Sequence, residues 1–234
     1  MIVSIHQPNY LPWPGYFDKI AKSDVFVLFD DVQFPMGKSV CNRNLIKTPH
    51  GGLWLTVPVV DKSSRKSINK IEINNDSDWR RNHWKNIRTF YCRAPFFSDY
   101  MKIFEAIYLR PWDKLCDLNT AIIMAMLKIL EIETKIVCSS QLGLASGGEQ
   151  KLIDIVKKLN GDAYLTGTGP GSQRYVKEED FRNNHIALLY HGYPPQEYPQ
   201  LHGAFMPNLS ALDWLFNTGP NAAAFLKAAR KSRE

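Results

Sequence analysis

His6-Gln7-Pro8-Asn9-Tyr10 heads the residues of this chain whose types could do chemistry. An imidazole beside a carboxamide, in a loop stiffened by Pro8, Pro12 and Pro14, can take a proton while Gln7, Asn9 and Tyr10 hold a polar substrate. The bland alternative is a rigid surface loop beside a core histidine. Asp30 and Asp31 offer a base, a Mg²⁺ site or an anchor for an amine, or the ordinary cap of a turn or helix. If the strand before them continues, Asp30 shares a face with Leu28 and is the more enclosed of the two. Asn42 and Arg43, with Asn44, suit a sugar or a carboxylate, or cap a loop. His202 lies among turn residues, which makes it a better second acid or base than His185, placed just before a strand. Cys41 is the one thiol near this chemistry, and no histidine partner for it is identifiable.

A second polar loop runs through Gly167, Gly169, Gly171, Ser172, Arg174 and Tyr175. Glycines let backbone N–H groups approach a ligand, and an arginine beside them can clamp phosphate with two hydrogen bonds. Pro170 breaks the dinucleotide fingerprint and no Gly-Lys-Ser/Thr is present, so the reading is general anion binding, against that of a plain glycine-rich turn. The six histidines have no spacing of the His-x-x-x-His kind, so no metal site is read; no cofactor can be named from the residues.

The elements that must position these groups alternate at both ends of the chain. Strand 2–5, a helix over about 14–22 and strand 25–29 form a βαβ unit, which should be right-handed. Strands 135–138, 162–166 and 186–190 alternate with helices 148–159 and 178–184. Between them, segments 44–47 and 53–59 flank a turn cluster and read as a hairpin, and 70–73 reads as a further strand. A helical block follows from about 77 to 131, broken at Pro95 and Pro111. The expected fold is α/β: a Rossmann-like parallel sheet with helices on both faces, in one domain over 1–234, with residues 40–131 inserted. Asn208-Leu-Ser210 should cap a late helix carrying Leu212, Leu215 and Phe216.

With 234 residues, 44% of them hydrophobic, the chain can bury a sizeable core, and the absence of low-complexity tracts argues against disorder. Its apolar runs are too short to span a membrane, and the N-terminus leads straight into a strand without a basic leader, so the expectation is a cytoplasmic protein. Four scattered cysteines without a Cys-x-x-Cys pair read as free thiols. A formal charge of +6 favours anionic partners, nucleotide sugars and RNA among them. Arg80, Arg81, Lys85, Arg88 and Arg93, interleaved with Trp79, Trp84, Phe90 and Tyr91, form either a solvated basic face or a surface for an acidic partner.

Taken together, His6-Gln-Pro-Asn-Tyr-Leu-Pro-Trp13, Asp30-Asp-Val-Gln-Phe34 and Asn42-Arg-Asn44 resemble the signature of the WbqC-like protein family. Tyr164-Leu-Thr-Gly167, Tyr198-Pro-Gln-Leu-His202 and Pro207-Asn-Leu-Ser210 extend the likeness over nearly the whole chain. The resemblance implies a link to bacterial O-antigen gene clusters and a group transferase, acylating (glycylating) the amino group of a nucleotide-linked amino sugar from an activated amino acid donor such as an aminoacyl-tRNA. In that scheme His6 or His202 takes the amine proton, Asp30 orients the amine and the 167–175 loop holds a phosphate. A broader likeness, to Rossmann-like adenylyl- and nucleotidyltransferases, carries nucleotidyl transfer as the runner-up. Those enzymes place Gly-His where this chain has Gly15-Tyr16, which takes away the histidine that would stabilise the transferring phosphate. A non-catalytic nucleotide- or RNA-binding partner of the same machinery is the third reading.

Overall fold

Five short strands, β1 (Ile2–His6), β2 (Val25–Leu28), β5 (Lys135–Cys138), β6 (Ala163–Gly167) and β7 (Ala187–His191), the first three rich in β-branched residues, pair entirely in parallel in the order β5-β2-β1-β6-β7. The computed structural model describes residues 1–60, 65–169 and 176–231, the backbone alone for 227–231. The remaining strands, β3 (Arg43–Thr48) and β4 (Gly51–Thr56), form a separate antiparallel hairpin. The helices are α1 (Pro14–Ala21), α2 (Trp79–Tyr91), α3 (Phe97–Leu109), α4 (Leu115–Ile129), α5 (Gly148–Lys158), α6 (Glu178–Asn183), α7 (Ala211–Thr218) and α8 (Pro220–Lys231). This is the α/β, Rossmann-like architecture that alternation implied.

Side-chain alternation along β1 divides the core. Val3 and Ile5 point to one face, where they join Val25, Val27, Ile153 and Val156 beneath α5 and α6. Ser4 and His6 point to the other, where α1 lies, and Ser4 hydrogen-bonds Ser23 just past that helix. On this second face Phe26 and Leu28 pack on Tyr16, Phe17 and Ile20, and the same apolar body continues through the hairpin, α2 to α4 and α7. The chain between β2 and β5, which are neighbours in the sheet, holds the hairpin and the three helices broken at Pro95 and Pro111.

Three expectations need adjusting. The hairpin turn is only Pro49-His50, because Gly51 adopts φ +105° and Thr48 Oγ1 bonds its carbonyl, so β4 starts at once and ends at Thr56. Residues 70–73 are no strand: Lys70 closes a 3-10 turn (Ile68–Lys70), and the backbone of the next three is shared among Val60, Ile68, Asp113 and Leu115, leaving single bridges at Glu72 and Ile73. β7 runs one residue further than expected, to His191, and that residue matters to the site.

Candidate functional site

The strand order turns at β1: the chain builds outward through β2 and β5 on one side, then through β6 and β7 on the other. The carboxyl ends of β1 and β6 are therefore the switch point, the place where open parallel sheets receive ligands. His6 closes β1 and Gly167 closes β6 at this same end.

The loop that leaves β1 is held hard. Asn119 of α4 donates to the carbonyls of Pro8 (2.9 Å) and Cys41 (2.7 Å), and Tyr10 N–H donates to Val40 O. Leu11 sits at φ +44°, a conformation costly for a branched side chain, with its carbonyl bound by Asn44 Nδ2. Pro14 opens α1 with its φ already helical. Gly15 is required by the fold of the loop: a Cβ there would lie 2.3 Å from the Trp13 ring.

His6 Nδ1 donates to Gln7 O (3.1 Å), and Tyr16 Oη donates to the same carbonyl (3.2 Å) while its ring meets the imidazole edge-on at 5.0 Å. A carbonyl only accepts, so the neutral ring carries its proton on Nδ1 and keeps a lone pair on Nε2. Burial, then the nearby Lys19 charge, lower the imidazole pKa; the Gln7 bond raises it and His191 lowers it further, leaving it at about 4. Lys19, on the all-buried helix α1, is 4% exposed and donates to Ile5 O at 3.2 Å. Burial brings its pKa down from 10.5 to about 7. Its neighbour Asp18 accepts from His191 Nε2 (2.6 Å) and Lys22 (2.8 Å). Burial works against the Asp18 charge, but these two partners outweigh it and hold the carboxyl below its ordinary range.

Gln7, Asn9 and Cys41 gather beside His6: Cys41 Sγ reaches Gln7 Oε1 at 3.4 Å and Asn9 Oδ1 at 4.0 Å. Burial pushes this thiol up to about 11, so it stays protonated and is a poor nucleophile. Tyr10 faces the core, wholly enclosed, with its hydroxyl bound to His83 and Tyr108. Asp30 is the more enclosed of the acid pair, as alternation indicated. Its carboxylate accepts from Ser139 Oγ, Ser140 N and Ser140 Oγ, which makes it the anchor of the turn after β5. Asp31 accepts from Ser139 Oγ and pairs with Lys151 at 2.7 Å. Asn42 is buried and donates to Val57 O, and Arg43 stacks over Trp54 at 4.2 Å on the hairpin. A Cβ added at Gly169 would meet nothing within 4 Å among the described residues. Gly171, Ser172, Arg174 and Tyr175 lie outside the described residues.

His202 belongs to a different cluster. Its Nε2 donates to Phe90 O (2.8 Å), beside a buried network in which Tyr91 and Tyr198 donate to Asp213 and Lys47 donates to Gln200, Gly203 and Ala204. It has no bond or ring contact with His6 or its partners. Sequence reasoning missed Lys19, Asp18 and His191. The one signal was a Lys-Asp pair inside a short helix otherwise made of core residues. Trp13, Pro14, Tyr193, Pro195, Tyr198 and Phe205 line a shallow surface depression, partly open to solvent. Among the described residues no three His, Cys, Asp or Glu side chains gather as a metal-ligand set.

The fold defines a Rossmann-like α/β protein, and its candidate site is the topological switch point that carries His6 and Lys19. The chain belongs to the WbqC-like protein family, whose model matches residues 7–225. It is 34% identical over 233 residues to the uncharacterized protein Rv1507c of Mycobacterium tuberculosis, covering 98% of this chain and 99% of that one. No solved structure matches. Among the described residues, no helix is long and apolar enough to cross a membrane.

Proposed function

We propose that the protein is a group transferase that acylates, with glycine on the family resemblance, the amino group of a nucleotide-linked amino sugar in surface-polysaccharide synthesis. The observation that carries this reading is His6: an oriented, neutral imidazole at the switch point, with Nε2 unpartnered among the described residues. The amine attacks the carbonyl of an activated glycyl ester, such as an aminoacyl-tRNA. A C–N bond forms, the ester C–O bond breaks, His6 Nε2 takes the amine proton and returns it to the departing oxygen. Gln7 and Asn9 hold polar groups of the acceptor. Asp30 acts through the Ser139-Ser140 turn that it anchors, and Gly169 leaves backbone room for a phosphate.

A second reading, nucleotidyl transfer, is favoured by the strand order, which matches the first five strands of the doubly wound arrangement. The two separate in one assay. Wild-type protein is incubated with an amino-sugar nucleotide and an activated glycine donor, or with a nucleoside triphosphate and a sugar phosphate, and products are read by mass. A glycyl mass increment that needs His6 supports acyl transfer. Release of pyrophosphate with a new nucleotide sugar would replace that reading with the second.

A further inference from the structure

We propose that Lys19 is the seat of a substrate phosphate, the diphosphate of the nucleotide-linked sugar, with the His6 imidazole beside it. The inference rests on the switch-point crevice being the active site. Lys19 has three N–H donors and one hydrogen bond, to the Ile5 carbonyl, although it is 4% exposed. Among the described residues no carboxylate pairs with it. Its titratable neighbour is the neutral His6 imidazole from β1, and Asp18, next to it on its own helix, is already committed to His191 and Lys22. A buried cation without a counter-charge is costly to maintain, and it stands here at the end of β1, where parallel sheets of this topology receive phosphates. Across β1, the chain leaving β6 passes Gly167 and Gly169, and a Cβ added at Gly169 would meet nothing within 4 Å among the described residues.

Occupation of this seat has a consequence for His6. Lys19 is among the charges that hold the imidazole pKa down. A phosphate dianion there offsets that charge, so substrate binding raises the basicity of His6 when an amine proton has to be accepted. The lysine itself, close to half-protonated near neutral pH, takes up a proton as the anion arrives.

The test titrates the full chain with inorganic pyrophosphate, with UDP and with uridine, by calorimetry at about pH 7 in phosphate-free buffers of differing ionisation enthalpy. Pyrophosphate and UDP should bind with uptake of about half a proton, and uridine with none. Lys19→Met should lose the uptake and bind at least about tenfold more weakly, the usual scale for a lost charge-assisted bond. On the wild-type protein, which carries no folding ambiguity, the lysine Nζ resonance that titrates near neutrality should move upward with pyrophosphate, and the His6 imidazole titration should move with it. Pyrophosphate binding without proton uptake and unchanged in Lys19→Met would overturn the proposal, as would absence of pyrophosphate and UDP binding. Glycyl product formed alongside either of those results would leave the transferase reading standing. Lys19-dependent uptake without glycyl product from any donor would keep the phosphate seat and sink the transfer reaction.

Discussion

Replacing Lys19 by Met should make the protein more stable at neutral pH, the reverse of the usual outcome of a core substitution. Burial brings the Lys19 pKa from 10.5 to about 7. Each pH unit of that gap disfavours the charged form in the folded state by about 1.4 kcal/mol, so the full cost is about 4–5 kcal/mol, of which roughly 4 remains at pH 7. Methionine has nearly the same length and shape, so little packing is lost. The bond from Nζ to the Ile5 carbonyl disappears, worth about 1–2 kcal/mol. The net gain is therefore about 2–3 kcal/mol. Its pH dependence has a definite sign. Between about pH 7 and 10.5 the unfolded chain holds the Lys19 proton and the folded chain does not, so wild-type stability from this group rises with pH across that window. The advantage of Lys19→Met is largest at or below pH 7 and fades towards pH 10.5. Urea denaturation of both proteins at about pH 6, 8 and 10, followed by tryptophan fluorescence and far-ultraviolet dichroism, measures it. A variant less stable than wild type at pH 7, or a gain that does not shrink as pH rises, would refute the reasoning.

His6→Asn should lower turnover by about 10²–10⁴-fold with little change in acceptor binding, whereas His202→Asn, which loses a bond to Phe90 O and an edge-on contact with the Phe90 ring, should leave turnover near wild type; product mass and calorimetry read the two. His83, 7% exposed with a pKa held by burial at about 4, is protonated in the unfolded chain first as pH falls below 6.5. It should therefore remove about 2 kcal/mol of stability by pH 5, a loss that His83→Gln escapes in paired denaturation curves. Asp18→Asn strips the buried partner from His191 and Lys22 and should cost about 3–5 kcal/mol at neutral pH. In the wild type that stabilisation is present above the ordinary carboxylate range and is lost as pH falls through the lowered Asp18 pKa, a difference visible in acid titration of the two proteins. Gly15→Ala forces a methyl into the Trp13 ring and should cost about 1–3 kcal/mol with an altered Trp13 environment, read by thermal melts and fluorescence.

Local chemistry along the chain was enough to place most elements. The β-branched run at 135–138, the helix breaks at Pro95 and Pro111 and the Ser210 cap depend on side chains acting on their own or neighbouring backbone, and the structure has them where the residues indicated. The 70–73 segment failed because apolar alternation cannot report whether a partner strand exists. Its donors and acceptors went to three separate loops. Tyr10 failed as a crevice residue for a related reason: a tyrosine in a polar loop reads as surface until His83 and Tyr108, more than 70 residues away, are seen to enclose its hydroxyl.

By itself the sequence determined the α/β alternation, the rigidity of the His6 loop and family membership, since each depends on residue types at short spacing. Tertiary structure decided which polar groups share a site. Only parallel pairing in the order β5-β2-β1-β6-β7 carries the ends of β1 and β7 to one edge of the sheet. Only the docking of α1 across that edge turns Asp18 to His191, 173 residues away, and leaves Lys19 under His6 without a carboxylate partner among the described residues. The same tertiary packing gave His202 to the carbonyl of Phe90 and Asp30 to the serines after β5. A charge or a lone pair becomes chemistry only when burial removes the water that would otherwise satisfy it, and burial is a property of the assembled layers.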